Sequence, residues 1–249
     1  MSASQTNAPT WPNSYPLPWL TLERALLAMV LFAAVALRVV GLADAPLSPS
    51  EGERALAAWH LVKGAPPGWW DAPALATALW PLLFVLGDAE VVARLLPAVA
   101  GIALAASPWL FRDRLGALPC LVTSALLAVS PTLWSSARAV HETTLGVLVT
   151  VLLVWWLTAR PRDDGIAAPV IGVGVASLLN LGAAGVTGLL ALGAWVAMRY
   201  GLAAQSDGAT GRLRALGPPA LLWFAIAHVV LGTALLQHTR EFGLPSVLA

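Results

Sequence analysis

Hydrophobic positions along this chain fall into long runs separated by short polar breaks. The first run covers residues 22–42, with Glu23 and Arg24 at its start and Arg38 about one turn from its end. Further runs fall at about 91–110, 115–132, 143–159, 166–181, 183–198 and 216–236. Roughly 20 apolar residues cross a bilayer core as a helix. The pattern therefore predicts an all-α transmembrane bundle of about seven spans, covering residues 21–237. One apolar run differs from the rest. Residues 73–87 are shorter, carry Pro81 and follow Trp69-Trp70-Asp71, so they read as a helix lying along the interface.

Topology turns on that run. If it does not cross and the N-terminus is inside, Arg112, Arg114, Arg160, Arg162, Arg199, Arg212 and Arg214 all face the cytoplasm. If it crosses, all of them face outward. Lys and Arg in short loops favour the cytoplasmic side. The expected layout thus has residues 43–90 as one long external loop, 131–142 as a second, and a short external tail at 238–249. The two acid-bearing loops then share a face. Residues 1–20 are uncharged and Pro-rich, with Trp11 and Trp19, and lack the basic start of a signal peptide. They read as a retained tail touching the interface.

Composition makes the membrane reading firm. Hydrophobic residues are 58% and charged residues 11%, against about 25% charged in an average soluble domain, and the mean hydropathy is +0.76. A multi-pass protein of the cell membrane is expected, with the lipid bilayer as its first partner. A net charge of +1 gives no basic face for nucleic acid. Cys120 stands alone in an apolar run, so no intramolecular disulfide can form, and it reads as a small buried hydrophobe. No Cys and His residues fall at zinc spacing. Gly172-Val-Gly174, inside an expected span, suits helix packing rather than phosphate binding, and Ala184 and Gly188 suit close helix approach.

The polar segment 46–64 carries the first candidate chemistry. Ser50-Glu51-Gly52-Glu53 reads as a helix start, Ser50 capping and Glu53 completing a Ser-x-x-Glu box. The helix would run to Lys63 and stop at Gly64, Pro66 and Pro67. Ala55, Ala58, Trp59 and Val62 form its apolar stripe, with Trp59 at headgroup level. A capped interfacial helix, without catalysis, accounts for most of these residues. The second candidate is Arg138-Ala-Val-His141-Glu142. A carboxylate and an imidazole beside a cavity can position or deprotonate a hydroxyl. The plainer alternative is a loop-to-helix junction with Glu142 near a helix N-terminus. Arg38 and Arg94 sit near the outer ends of their runs. Either matches phosphate geometry; either can instead snorkel or pair with Asp44 and Glu90.

Taken in order, several blocks make a larger pattern. Leu37-Arg38 ends the first span, and residues 46–64 follow with Trp59 and Lys63-Gly64. Then come Leu86-Gly87-Asp88, Ala93-Arg94-Leu95-Leu96-Pro97, Arg114-Leu115-Gly116, Leu127-Ala-Val-Ser-Pro131 and the His141-Glu142 junction. Over about residues 25–160 this order resembles the glycosyltransferase C superfamily, which includes protein O-mannosyltransferases and the lipid A aminoarabinose transferase. The nearest likeness is to flippase-activity-associated membrane proteins.

The resemblance implies transfer of a sugar from a polyprenyl-phosphate donor at the outer membrane face. It implies catalytic roles for Glu51, Glu142, Ser50 and His141, and donor-phosphate binding by Arg38, Arg138 and Lys63. The leaving phosphate would need an arginine or a divalent metal. Three departures stand out. Ser50 occupies the place of an Asp that serves as or supports the base, and a Ser hydroxyl is a poor base without an activating partner. Glu142 stands where an Asp is common. Leu179-Asn180-Leu181-Gly182 lacks a basic residue often used for the lipid phosphate. Relatives also usually continue beyond about seven spans. These departures keep open a different function, that of a catalytically inactive relative serving as an accessory subunit of a larger membrane complex. Twelve Trp residues would supply partner-facing surface. A transporter or channel fits less well, because no expected span interior holds a charge.

Overall fold

Residues 21–63, 72–87, 89–159, 164–201, 219–228 and 230–231 are described in the structure, a computed structural model. Among them there is helix and no strand. In chain order the helices are α1 (Leu22–Val39), α2 (Pro49–Lys63), α3 (Pro73–Leu86), α4 (Glu90–Ala106), α5 (Arg112–Leu115), α6 (Ala117–Val129), α7 (Pro131–Arg138), α8 (Thr143–Ala159), α9 (Asp164–Leu179) and α10 (Gly182–Gly201). A further apolar helix, α11, covers Pro219–His228.

The expected apolar runs all contain helix, but two boundaries change. The predicted break at 111–116 is helical almost throughout. α4 passes through a 3-10 turn at Ser107–Phe111 into α5, and the stretch ends at Gly116, whose φ is +83°. Pro108 at the start of that turn lacks an N–H that the turn does not need there, so it tightens the helix without ending it. The loop expected at 131–142 also contains a helix, α7. Pro131 supplies its pre-set first residue.

Glu90–Leu115 has 26 residues and is the stretch long and apolar enough to cross a membrane. At 1.5 Å per residue it is about 39 Å long. α6 and α7 pass the same test only together, and they bend by 57° between them. α1 is 18 residues long but carries Glu23, Arg24 and Arg38. Helix lengths alone therefore do not establish seven crossings.

Polarity supports a lipid setting in another way. Phe32, Leu118 and Leu190 are 76%, 72% and 70% exposed, while Arg38, Arg94, Glu51, Glu142 and Asn180 are buried. Polar and charged groups that lie inside, beneath an apolar exterior, are what a hydrocarbon solvent selects.

α4 occupies the centre and packs against α1, α3, α6, α7 and α8; α8, α9 and α10 pack on one another. Gly101 of α4 permits close approach, since a Cβ there would stand 2.6 Å from Ala137 Cβ and 2.7 Å from Arg38 Nε. α2 and α3 form a layer joined to α4 through Ala58, Leu61, Leu75, Leu79 and Ala93, with Val140 and Leu181 in the same cluster. The start of α3 is held by the end of α9, where the Ala74 amide donates to the Asn180 carbonyl at 3.0 Å.

At one end of the bundle Arg112 pairs with Glu23 at 2.6 Å, placing the starts of α1 and α5 together. Elsewhere the end of α1, the start of α4, α2 and the α7–α8 link converge. The loops containing Glu51 and Glu142 do meet. The N-terminal tail, the stop at Gly64, Pro66 and Pro67, Arg160, Arg162, Arg212, Arg214 and the C-terminal tail lie outside the described residues.

Candidate functional site

Helix ends leave carbonyls without intrahelical partners; two arginines cover such groups here, and a third covers the loop that follows α1. Arg38 of α1 is 1% exposed. Its Nη1 donates to Ala34 and Ala128, and its Nη2 to the Leu127 carbonyl at 3.0 Å, closing the last turn of α6. Arg138 of α7 donates to the carbonyls of Leu37, Val40 and Gly41, closing the end of α1. Its guanidinium lies 5.2 Å from the Trp134 ring, and Trp134 Nε1 also donates to the Leu37 carbonyl. Arg94 of α4 binds the carbonyls of Leu42, Ala45 and Pro46. Cations suit helix C-termini, and a guanidinium with several donors can serve a whole turn. Arg38 and Arg138, the expected phosphate-binding arginines, bond here to backbone carbonyls. Arg94 pairs with Glu51 rather than Glu90.

The capping box of α2 sits two residues earlier than expected. Ser48, not Ser50, is the cap: its amide donates to Glu51 Oε2 at 2.9 Å, and the Glu51 amide approaches Ser48 Oγ at 3.4 Å. Pro49 explains the choice, since proline is favoured at the first helical position and has no amide to satisfy. Ser50 falls in the first turn, exposed. The buried stripe also rotates. Glu51, Ala58 and Leu61 face inward, Ala55 and Val62 flank them, and Trp59 is half-buried with Lys63 Nζ 4.8 Å from its ring centre.

Glu51 is fully engaged. Oε1 accepts from Arg94 Nε at 3.2 Å and the Val140 amide at 3.0 Å; Oε2 accepts from Arg94 Nη2 at 3.1 Å and the Ser48 amide. Burial by itself would raise the pKa of this carboxyl. The hydrogen bonds from Arg94, Ser48 and Val140 outweigh that and lower it to about 2. Such a carboxylate is a weak base with no lone pair left over. It joins three parts of the chain.

Glu142 is different. It is 6% exposed, at the head of α8, and Oε2 has no hydrogen-bond partner. Arg54 Nε lies 3.4 Å away and is itself a buried donor without a hydrogen bond. His141 Nδ1 is also 3.4 Å from Oε2. The Thr143 amide donates to Nδ1, however, so in the neutral ring Nδ1 bears the lone pair and the proton sits on Nε2. Two acceptors then face each other, and Oε2 is left with Arg54 as its ion-pair partner and no hydrogen bond. Arg54 was not expected at this site. It stands three residues after Glu51 on the inward face of α2, but nothing in a single sequence links it to a residue 88 positions later.

His141 and Glu142 stand at one edge of a cleft of about 430 Å³ between α8 and α10. Its walls are Val147, Val151, Ala184, Gly188 and Ala191, with the hydroxyls of Thr143, Thr150 and Thr187. The volume is in the range of small-molecule sites. Ala184 and Gly188 let α10 approach α8 closely, as expected: a Cβ on Gly146 would stand 3.3 Å from Ala184 and one on Gly188 2.4 Å from Thr150 Oγ1, and both residues also border the cleft. The structure thus brings Glu142 and His141 to the cleft, with Arg54 paired to Glu142 outside its lining. Glu51 lies behind them, and Lys63 ends α2. Among the described residues no group of three or more His, Cys, Asp or Glu side chains is placed to hold a metal ion.

No protein-family model, curated protein or solved structure matches this chain.

Proposed function

We propose that this chain is a multi-pass protein of the cell membrane, with its N-terminus cytoplasmic, that transfers a sugar from a polyprenyl-phosphate donor at the outer face. The supporting observation is the buried carboxylate of Glu142 at the edge of an apolar cleft. In the proposed reaction the acceptor hydroxyl oxygen forms a bond to the sugar's anomeric carbon, and its proton passes to the Glu142 carboxylate. The bond from that carbon to the phosphate oxygen breaks, and polyprenyl phosphate leaves with the electron pair. Arg54 is the cation nearest the base and can stabilise charge on the acceptor oxygen. Lys63, exposed at the end of α2, suits a donor phosphate at the membrane surface. Glu51 acts as a positioning residue through Val140.

The experiment is transfer by the purified protein in liposomes carrying polyprenyl-phosphate sugars. Glu142→Gln should abolish transfer, and Arg54→Ala should reduce it strongly. Transfer at the wild-type rate in both variants would remove this reading.

A second reading, an accessory subunit without turnover, draws support from Ser50 and Glu51. The position where relatives carry a base is an exposed serine, and its neighbouring carboxylate is saturated. Native mass in a gentle detergent separates the two. Stoichiometric membrane partners favour the subunit; a monomer or homodimer retaining polyprenyl-phosphate lipid favours the transferase.

A further inference from the structure

His141 is the half-open side chain at the head of α8. It borders the cleft with 40% of its side chain exposed, while that of Glu142 beside it is 7% exposed. The ring nitrogen Nδ1 sits among three polar atoms. The Thr143 amide is 3.2 Å away, the Thr143 hydroxyl 2.7 Å and Glu142 Oε2 3.4 Å. In the neutral ring the Nδ1 lone pair accepts from the Thr143 amide, one of the first-turn amides of α8 that no carbonyl of the helix can satisfy. The imidazole thereby acts as a cap. Glu142 Oε2 faces the same lone pair and gains nothing from it.

A proton added to Nδ1 reverses both relations. Each nitrogen of a charged imidazole is a donor. The Thr143 hydroxyl can turn and accept instead, but the amide cannot, and it is left facing another N–H. Oε2, opposed until then by a lone pair, meets a cation that a small turn of the ring brings into hydrogen-bond range. The surrounding charges are few. Glu142 attracts the charged ring, and Arg54 of α2, 3.4 Å from Oε2, is the cation that opposes it. α10 brings only Ala183, Ala184, Thr187, Gly188 and Ala191 to the cleft, none of them charged. Arg138 of α7 is turned to the end of α1, and Glu51 holds the Val140 amide. The Thr143 amide and Glu142 therefore compete for one nitrogen.

We propose that His141 is a proton-operated switch at the head of α8. Uncharged, it caps the Thr143 amide; charged, it releases that amide and pairs with Glu142. Histidine ordinarily changes charge between about pH 5 and 8, which sets the range to search. The switch stands apart from the transferase reading. Under that reading its charged state would also withdraw the base, because Glu142 would then share its charge with two cations.

The test is nuclear magnetic resonance on the full-length protein in phosphatidylcholine nanodiscs, isotopically labelled at histidine and threonine nitrogens, from about pH 8 to about pH 5. Two things are followed: the protons on the His141 ring, and solvent exchange of the Thr143 amide relative to an unstructured peptide at the same pH. As the ring charges, the Thr143 amide should lose about fivefold in protection, the loss of one net hydrogen bond. His141→Asn keeps an acceptor two residues before Thr143 and does not titrate, so its protection should stay level across the range. Glu142→Gln keeps the shape and removes the attracting charge. The Thr143 change should then need at least about tenfold more acid.

A Thr143 amide that keeps its protection while the ring charges would overturn the proposal, as would a ring that stays neutral throughout. A loss of equal size in His141→Asn would overturn it by tracing the change to another group. A response in Glu142→Gln at the same acidity as in the native chain would remove Glu142 as the partner and overturn it too. None of these outcomes involves sugar transfer, so the switch and the transferase reading fail separately.

Discussion

The Val140 amide donates to Glu51 Oε1 at 3.0 Å, across 89 residues of chain. This bond carries the first loop into the junction that ends at Glu142. The acid that resembles a catalytic residue therefore holds another acid in place.

Removing its partner should be costly. Arg94→Ala leaves Glu51 buried with its charge and frees the carbonyls of Leu42, Ala45 and Pro46. Breaking one side of a buried pair costs about 3–5 kcal/mol. Reversible unfolding in mixed detergent micelles should report a loss of that size. A loss under about 1 kcal/mol would show that the pair is solvated.

The same group sets an acid limit. The folded Glu51 carboxyl lies at about 2 against an ordinary 4.5. A depressed carboxylate contributes stability that is whole above the unfolded value and lost as pH falls through the folded one. The loss should begin near pH 4.5 and reach on the order of 3 kcal/mol by about pH 2. Nothing from this group should change between about pH 6 and 8, well above both values. Glu51→Gln, measured across the same range, should lie lower at neutral pH and lose most of the acid-dependent slope.

Gly101→Ala tests the crossing of α4 and α7. Its Cβ would overlap Ala137 Cβ and Arg38 Nε, and overpacking of this kind costs about 1–3 kcal/mol. Thermal unfolding should fall accordingly, while Gly52→Ala, where a Cβ meets nothing within 4 Å, should leave it unchanged or raised.

Orientation has a direct readout. Cys120 is fully buried, so the native chain offers a quiet background for thiol labelling. Glu53→Cys and Asp113→Cys place thiols at exposed positions on α2 and α5. In intact cells an impermeant maleimide should modify Glu53→Cys alone, and permeabilisation should expose Asp113→Cys. The reverse order would invert the layout and put the cleft's carboxylate on the cytoplasmic side.

Much of the helix pattern was legible because apolar runs and their breaks are local properties. Leu181-Gly182 marks a real turn, with Gly182 at φ +63°. α7 was hidden because residues 131–138 are short and mixed in polarity, and a bend follows α6 there. The shift of the capping box was in principle readable. Two Ser-x-x-Glu registers overlap at Ser48 and Ser50, and Pro49 favours the earlier one. The site itself was only half legible. His141 and Glu142 are adjacent in the chain, and the acid-bearing loops were expected on one face. Which acid is satisfied depends on Arg94, and which is not depends on Arg54, and both are long-range pairings with no local sign. Arg38 looked available for a ligand because its run of neighbours is apolar; the carbonyls that occupy it belong mostly to a helix 90 residues away.

The bond from Ala74 to the Asn180 carbonyl sets an order of events during synthesis. α3 leaves the ribosome long before its anchor does. At about 5–20 residues per second the wait is roughly 5–20 s. Through that interval the amide at the start of α3 lacks its native acceptor, and Leu181 is missing from the core beneath α2 and α3. The layer that bears Glu51 and Arg54 therefore cannot lock until α9 has been made. A nascent chain halted before residue 180 should insert its early helices and still lack a formed site.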